Sequence, residues 1–99
     1  MIFEWDPKKA AVNLAKHGVS FSEATTVFYD RDALIFDDDT HSTAERREFI
    51  VGRSLQKRYL FVSFTERDPS LRIISARRAH AKEIAKHENN KERRSKKAD

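Results

Sequence analysis

The chain has 99 residues, of which 38% are hydrophobic and 36% charged, so it has room for one small domain but not for two. It contains no cysteine, which excludes disulfide bonds and thiolate metal sites. No segment approaches the roughly 20 apolar residues that span a bilayer, and no basic-then-apolar signal segment opens the sequence. We therefore expect a cytoplasmic protein without a membrane partner.

The formal net charge of +4 is unevenly distributed along the chain. Residues 1–45 carry nine acidic and four basic side chains, whereas residues 46–85 carry ten basic and four acidic ones. The later segment is therefore a candidate surface for a polyanion, although such charges also keep a small domain soluble.

A short β-prone run over residues 2–5 precedes a helix that we predict over residues 7–17. Asp6 is its N-cap, Pro7 its first residue and Gly18 its left-handed stop. Two faces of this helix differ in composition. The apolar face has Ala11, Leu14 and Ala15, and the polar face has Lys9, Asn13 and Lys16.

Ser20 and Glu23 form a capping box that starts a second helix, which we expect to end near Tyr29. Its buried stripe is Phe21, Ala24 and Phe28. The junction between the two helices is only a few residues long, so they pack as a hairpin or a bent pair.

Four β-like runs follow the helices, and a third helix closes the predicted fold. The runs span residues 33–36, 47–54, 58–65 and 71–77, with a polar loop over residues 37–44. Short connections favour an antiparallel meander. The last helix runs from residue 79 to about 87. We predict an α+β fold with two helices on a four- to five-stranded, mainly antiparallel sheet, a single domain over residues 1–88 and a flexible basic tail over residues 89–99.

Two long motifs in the sequence together resemble the BrnT family of toxins. The first is Phe3-x-Trp5-Asp6 with Lys9, Asn13, Lys16-His17-Gly18-Val19, Phe21 and Ala24. The second is Glu45-Arg46, Gly52, Ser54, Arg58, the segment 62–67 and the segment 72–77. The resemblance implies a fold like that of the RelE/ParE superfamily and a ribonuclease toxin that needs no metal and inhibits translation. It also implies a BrnA-type antitoxin that neutralises the toxin in a heterotetramer assembled through the antitoxin, with operator DNA bound only by that complex.

Cleavage of RNA by its own 2′-hydroxyl requires a base, an acid and cations around the phosphorane. Arginine suits the cation role because its planar fork binds two phosphate oxygens and stays charged. The candidate catalytic residues are therefore Arg67, Arg77, His17 and Glu45. The candidate RNA-binding residues are Lys9, Lys16, Arg46, Arg58, Arg72 and Arg78. No cofactor is expected, and the aspartates of residues 37–39 lack the spacing of a calcium loop.

Each candidate also has a structural interpretation. Any single arginine can be a surface or antitoxin-facing charge, His17 can cap the first helix, and Glu45 can form an ordinary cross-strand ion pair. By strand alternation Arg72 points away from Arg77 unless a bulge intervenes, so we prefer Arg67 and Arg77 as the phosphate grip. His80 is an outside candidate, and no role is assigned to His41 and His87, which lie in segments expected to be mobile.

Two other classes of function fit the same residues. One is a binding module that holds nucleic acid or an acidic protein on its basic sheet without cutting it. The other is a ParE-like topoisomerase poison, which would stall DNA replication and leave RNA stable. Fold similarity is a weak warrant for any of these activities, so the motifs carry the preference for a ribonuclease.

Overall fold

The computed structural model describes residues 1–41 and 44–98. Residues 42 and 43 of the predicted polar loop and residue 99 of the predicted tail lie outside this part of the chain. The elements in chain order are β1 (Ile2–Glu4), α1 (Pro7–His17), α2 (Phe21–Thr26), a 3-10 turn (Val27–Tyr29), β2 (Leu34–Asp37), β3 (Arg47–Arg53), β4 (Tyr59–Arg67), β5 (Ser70–Arg78) and α3 (Ala81–Ala98).

The five strands form one mixed sheet in the order β1-β5-β4-β3-β2. β2 to β5 pair as the predicted antiparallel meander, but β1 pairs in parallel with β5. Parallel pairing needs a long crossover, and the chain between β1 and β5 provides one through two helices and three strands. The α+β class is confirmed, and the sheet is antiparallel except at this edge.

The core lies between one face of the sheet and the pair α1 and α2. β4 supplies Leu60, Val62 and Phe64 to it, and α2 supplies Phe21 and Ala24. The stripe predicted for α2 is thus confirmed, with Phe28 partly buried at its end. Trp5 packs edge-on against Phe21, with ring centroids 6.0 Å apart.

α1 turns Ala10 and Asn13 toward the core and leaves its predicted apolar face exposed, contrary to the amphipathic pattern of its sequence. Asn13 is only 6% exposed, whereas Leu14 is 51% exposed and Ala11 and Ala15 are also exposed. The Asn13 carboxamide hydrogen-bonds to both backbone groups of Ala76, at 2.8 and 3.1 Å, and donates to the carbonyl of Val19 at 3.0 Å. A fully bonded amide is buried at little cost, so one polar residue sets the orientation of this helix.

The start and end of α1 and the start of α2 agree with the capping signals, whereas α2 ends at Thr26 and continues to Tyr29 only as a 3-10 turn. The Asp6 carboxylate accepts from the N–H of Lys8, and Gly18 has φ 68°. Ser20 accepts from the N–H of Glu23, as in a capping box. The Glu23 carboxylate does not complete the box, because it instead accepts from Ser54 and Arg58 on the far side of the core.

α3 packs on the opposite face of the sheet from α1 and α2 and extends to Ala98. Lys86 covers the ring of Phe36, and His87 packs edge-on against Tyr59. The predicted helix end near residue 87 is therefore wrong, and residues 89–98 of the expected tail are helical. The end was missed because the helix is held by contacts with residues distant in the sequence, such as the bond from the Asn90 amide to the carbonyl of Asp32.

Within residues 1–41 and 44–98, no helix has the length and apolarity needed to cross a membrane.

Replacing Asn13 with alanine should lower the free energy of unfolding by about 2–3 kcal/mol, because the N–H and carbonyl of Ala76 lose their partner in a buried place. Urea unfolding followed by the fluorescence of Trp5 measures this change. The control is Lys16→Ala on the exposed side of α1, which should stay within about 0.5 kcal/mol of the parent. Equal stability of the Asn13→Ala protein and the parent would show that the amide does not hold α1.

Candidate functional site

A groove runs between α1 and the edge of β5, and we call it the α1 groove. β1 pairs with β5 only from Ser70 to Arg72, so α1 covers the following part of that edge. Asn13 fixes the separation of helix and strand through its bonds to Ala76. The cavity has a volume of about 330 Å³ and is lined by Lys8, Lys9, Val12, Asn13, Lys16, His17, Ile74 and Ser75.

The rim of the α1 groove is positively charged and uncompensated. Lys8, Lys9, Lys16 and His17 are all exposed. In the part of the chain that the structure describes, no carboxylate lies within 4.0 Å of any of these four cationic or protonatable groups. Cations gathered in one cleft raise the local concentration of anions. The groove is therefore suited to a phosphate group.

A bulge in β5 decides which face its arginines occupy. Ser75 pairs with Ser63, and Ile73 pairs with Phe64, so Ile74 is left without a partner. Arg72 and Arg77 consequently pair with residues 65 and 61 of β4, which share one face by alternation. The sequence predicted that Arg72 points away from Arg77 unless a bulge intervenes; the bulge is present, and its extra residue places both arginines on one face. The two arginines flank Ile74 and Ser75 in the sequence of β5, but neither lines the α1 groove. Their common face is the one on which Arg77 contacts Phe61 and Glu83 of α3.

Arg67 and Arg77, the preferred phosphate grip, are not brought together. Arg77 pairs with Phe61 of β4. Arg67 lies six residues further along that strand, at a distance of roughly 20 Å from Phe61. That separation exceeds the reach of two arginine side chains toward one phosphate. The two arginines share a sheet face, but a single phosphate cannot bind both.

Arg67 belongs to a cluster of four alternating charges at one end of the sheet. Its Nε and Nη2 donate to the two oxygens of Glu45, both at 2.7 Å. Glu4 lies 3.8 Å from Arg67 and 3.6 Å from Arg72. The hydrogen bond from Arg67 lowers the pKa of Glu45. Glu45 is therefore ionised at neutral pH, and its cross-strand ion pair is formed.

Arg77 is held by a ring on one side and a carboxylate on the other. Its guanidinium carbon lies 4.1 Å from the centre of the Phe61 ring, a cation–π geometry. Both terminal nitrogens donate to Glu83 of α3 at 2.9 Å. Burial raises the pKa of Glu83, but the hydrogen bonds from Arg77 and the His80 N–H outweigh it, and the net pKa is lowered.

The remaining predicted RNA-binding arginines lie outside the α1 groove. Arg58 donates to the buried Glu23 and to the carbonyl of Gly18, so it ties the end of α1 to the core. Arg46 pairs with Asp37 at the far edge of the sheet. Arg78 is exposed at the end of β5.

The burial of two polar side chains, Glu23 and His87, was not predicted from the sequence. Glu23 was taken only as a cap, yet it is 5% exposed and accepts from Ser54 Oγ at 2.7 Å. His87 was expected to be mobile, yet it is 3% exposed and its Nε2 lies 2.8 Å from Asp30. Burial raises the pKa of Asp30. Hydrogen bonds from the N–H groups of Arg53 and Asp32 and from His87 lower it by more, so the net pKa is below its ordinary value. No local sequence signal marks such long-range pairs.

Comparison with known proteins identifies the family. A sequence model described as the ribonuclease toxin BrnT of type II toxin–antitoxin systems matches residues 5–83, which is most of the chain. The chain belongs to the BrnT family. The crystal structure of the ribonuclease toxin BrnT of Brucella abortus is similar, with a TM-score of 0.62 and 25% sequence identity over 81% of this chain and 99% of that chain. No match was found among curated protein sequences.

Membership of the BrnT family makes this chain a ribonuclease-type toxin of a toxin–antitoxin system and implies an antitoxin partner. The match includes α1, the whole of β2 to β5 and the first residues of α3, so the α1 groove lies within it. Within the described ranges, no group of three or more His, Asp or Glu side chains is arranged to hold a metal ion.

The stability of this BrnT-family fold depends on pH, because Glu23 forms a buried ion pair with Arg58. The hydrogen bond from Arg58 lowers the pKa of Glu23 below the value of about 4.3 of a free glutamate. A carboxylate with a lowered pKa stabilises the fold fully above that value and loses its contribution as the pH falls through the folded-state pKa. Glu23→Gln should therefore lower the free energy of unfolding by roughly 1–3 kcal/mol at pH 7.

The difference between the parent and Glu23→Gln should shrink as the pH drops below about 4. Urea unfolding over a pH series measures it. Glu66→Gln, at an exposed carboxylate on β4, is the control and should follow the parent at every pH. A difference that stays constant down to low pH would contradict the role assigned to the ionised Glu23.

Proposed function

We propose that this BrnT-family protein is an endoribonuclease that cleaves RNA at the α1 groove without a metal ion. The observation that supports the proposal is the arrangement of charge: uncompensated Lys8, Lys9, Lys16 and His17 surround a cavity. Arg72 and Arg77 lie nearby in β5 but outside the groove lining, and both are close to carboxylates, Glu4 and Glu83. In a metal-free site, such cations take over the stabilisation of the phosphorane that a divalent ion would supply.

In this mechanism the scissile phosphate lies in the α1 groove, and the ammonium groups of Lys9 and Lys16 neutralise its non-bridging oxygens. The 2′-hydroxyl attacks the adjacent phosphorus, the P–O5′ bond breaks, and a cyclic phosphate forms. His17 exchanges protons with the reacting oxygens, a step for which imidazole is suited near neutral pH. A positioned general acid or base adds roughly 10²–10⁴-fold to the rate.

The sheet arginines have a second role in the proposal. Arg77 is two residues from Ser75 of the groove lining, and in this proposal it leaves Glu83 to contact the phosphate. Arg67 and Glu45 neutralise each other at the distant end of the face, so RNA must displace Glu45 to bind there. We therefore assign catalysis to His17 with Arg77. Arg67 and Arg72 become a secondary contact for the RNA strand once Glu45 is displaced, with Arg78 at the other end of β5.

The cellular role and the partners in this proposal follow from membership of the BrnT family. We propose that the toxin acts in the cytoplasm, inhibits translation by cutting RNA and is neutralised by a BrnA-type antitoxin, in a heterotetramer assembled through the antitoxin. Operator DNA would be bound only by that complex. The pair of N-terminal helices on a largely antiparallel sheet supports a RelE-like arrangement.

Purified protein should cut RNA in buffer containing EDTA, and its expression without an antitoxin should stop bacterial growth and translation. His17→Asn should reduce the cleavage rate about 100-fold or more while RNA binding is retained. The measurement is the single-turnover rate on a labelled RNA. The control is His41→Asn, outside the groove, which should cleave like the parent. Intact RNA with correctly folded parent protein would favour the binding-module hypothesis, and stable RNA with stalled DNA replication would favour a topoisomerase poison.

The double change Lys9→Gln and Lys16→Gln should weaken binding of a non-cleavable 2′-O-methyl RNA. Each lost phosphate contact reduces the slope of log Kd against log salt by about 0.7, so the slope should fall by roughly 1.4. Fluorescence anisotropy over a salt series measures both values. Arg31→Gln with Lys57→Gln removes the same charge outside the groove and is the matched control. An identical slope in the two double variants would place the RNA elsewhere.

A further inference from the structure

The greater part of α3 lies outside the region that is similar to known BrnT proteins. The family match ends at residue 83, whereas α3 runs from Ala81 to Ala98. The Brucella structure is covered almost completely, at 99%, by 81% of this chain. The distal turns of α3 are therefore a feature of this chain in addition to the toxin fold.

This additional helix is bound firmly to the body of the protein. The buried His87 contacts Asp30, and Glu88 accepts from the hydroxyl of Tyr59. Further along, Asn90 donates to the carbonyl of Asp32, and Arg94 donates to its carboxylate. Four successive contacts over two helical turns fix the rotation of α3, so the side that it exposes is defined.

That exposed side carries one continuous polar and basic stripe. Lys82, Lys86, Asn89 and Arg93 follow one another at steps of four, three and four residues, which places them on one side of a helix. All four are exposed, and no carboxylate occupies a position in this stripe. Glu83 and Glu88 are turned toward Arg77 and Tyr59. We call these four residues the α3 stripe.

A shallow cavity accompanies the α3 stripe. It lies between α3 and β2, has a volume of about 220 Å³ and is lined by Leu34, Lys86, Asn89, Asn90 and Arg93. Lys82 and Arg93 are eleven residues apart, which is about 16 Å along the helix axis. In the described residues, the three cations of the stripe have no ion-pair partner within 4.0 Å.

We infer that the α3 stripe is a second RNA-binding surface, which holds the phosphate backbone of the substrate at a distance from the α1 groove. The inference rests on the proposed ribonuclease function. Lysine is depleted in protein–protein interfaces, whereas Lys, Arg and Asn are among the side chains that contact the backbone of nucleic acids. The stripe presents only such side chains, so its charge and composition fit a polyanion better than a folded partner. It would increase the affinity for long RNA without reading its sequence.

The test compares two triple variants of the full chain by anisotropy with a fluorescein-labelled 2′-O-methyl RNA of about 20 nucleotides, longer than a single binding site. The stripe variant is Lys82→Gln, Lys86→Gln and Arg93→Gln. The matched control is Arg31→Gln, Lys57→Gln and Lys91→Gln, which removes equal charge away from the stripe. The stripe variant should bind at least about 10-fold more weakly near 0.1 M salt, and its salt slope should fall by about 2.

Equal affinities and slopes in the two triple variants would overturn the inference. It would also be overturned if the stripe variant kept its RNA affinity but lost binding to polyglutamate, which would indicate an acidic protein partner. If the triple change impairs folding, as judged by circular dichroism, the exposed pair Lys82→Gln and Arg93→Gln keeps the test decisive, with an expected slope change of about 1.4.

Failure of the proposed function is separable from failure of this inference. Cleavage of a dinucleotide depends on the α1 groove alone, and the stripe variant should cut it at the parent rate. A parent protein that cuts no RNA, yet loses affinity for long RNA in the stripe variant, supports the stripe and rejects catalysis. A parent that cuts RNA normally, with long-RNA binding unaffected in the stripe variant, rejects the stripe and leaves catalysis in place.

Discussion

The groove between the first helix and the sheet depends on one carboxamide. Asn13 replaces a missing strand, because β1 ends before it can pair with Ala76, and the side chain supplies the acceptor and donor that a neighbouring backbone would supply. A hydrogen-bonded spacer of this kind holds the helix at a set distance instead of letting it collapse onto the strand. The basic residues on either side of Asn13 are thereby directed along the edge of β5.

The protein contains two kinds of positive charge, and the difference is functional. Several arginines of the sheet and core are bound to carboxylates, such as Arg58 to Glu23 and Arg77 to Glu83. The lysines of α1 and of the α3 stripe have no such partner among the described residues. Paired arginines stabilise the fold and orient its segments. They bind phosphate only if the phosphate displaces the carboxylate. Unpaired lysines attract RNA from a distance, with a strength that depends on salt.

Local signals predicted most of the fold. The caps at Asp6, Gly18 and Ser20 act within one helical turn, so their outcome does not depend on the rest of the chain. Strand alternation and short turns likewise predicted the meander from β2 to β5. The parallel pairing of β1 was not predictable, because the partner is about 70 residues away. The length of α3 was also missed, because its polar sequence gains stability from contacts with distant residues, such as Asp30 and Asp32.

The sequence by itself determined the family, the element order and the identity of the candidate residues, because these follow from motifs and local periodicity. The tertiary structure alone decided which of them share a surface. The bulge at Ile74 placed Arg72 and Arg77 on one face, and the length of β4 separated Arg67 from Arg77. It also buried Asn13 of α1 and left the predicted apolar face of that helix exposed. These outcomes depend on register and on hydrogen bonds between distant segments, and a one-residue change in register reverses the direction of every following side chain.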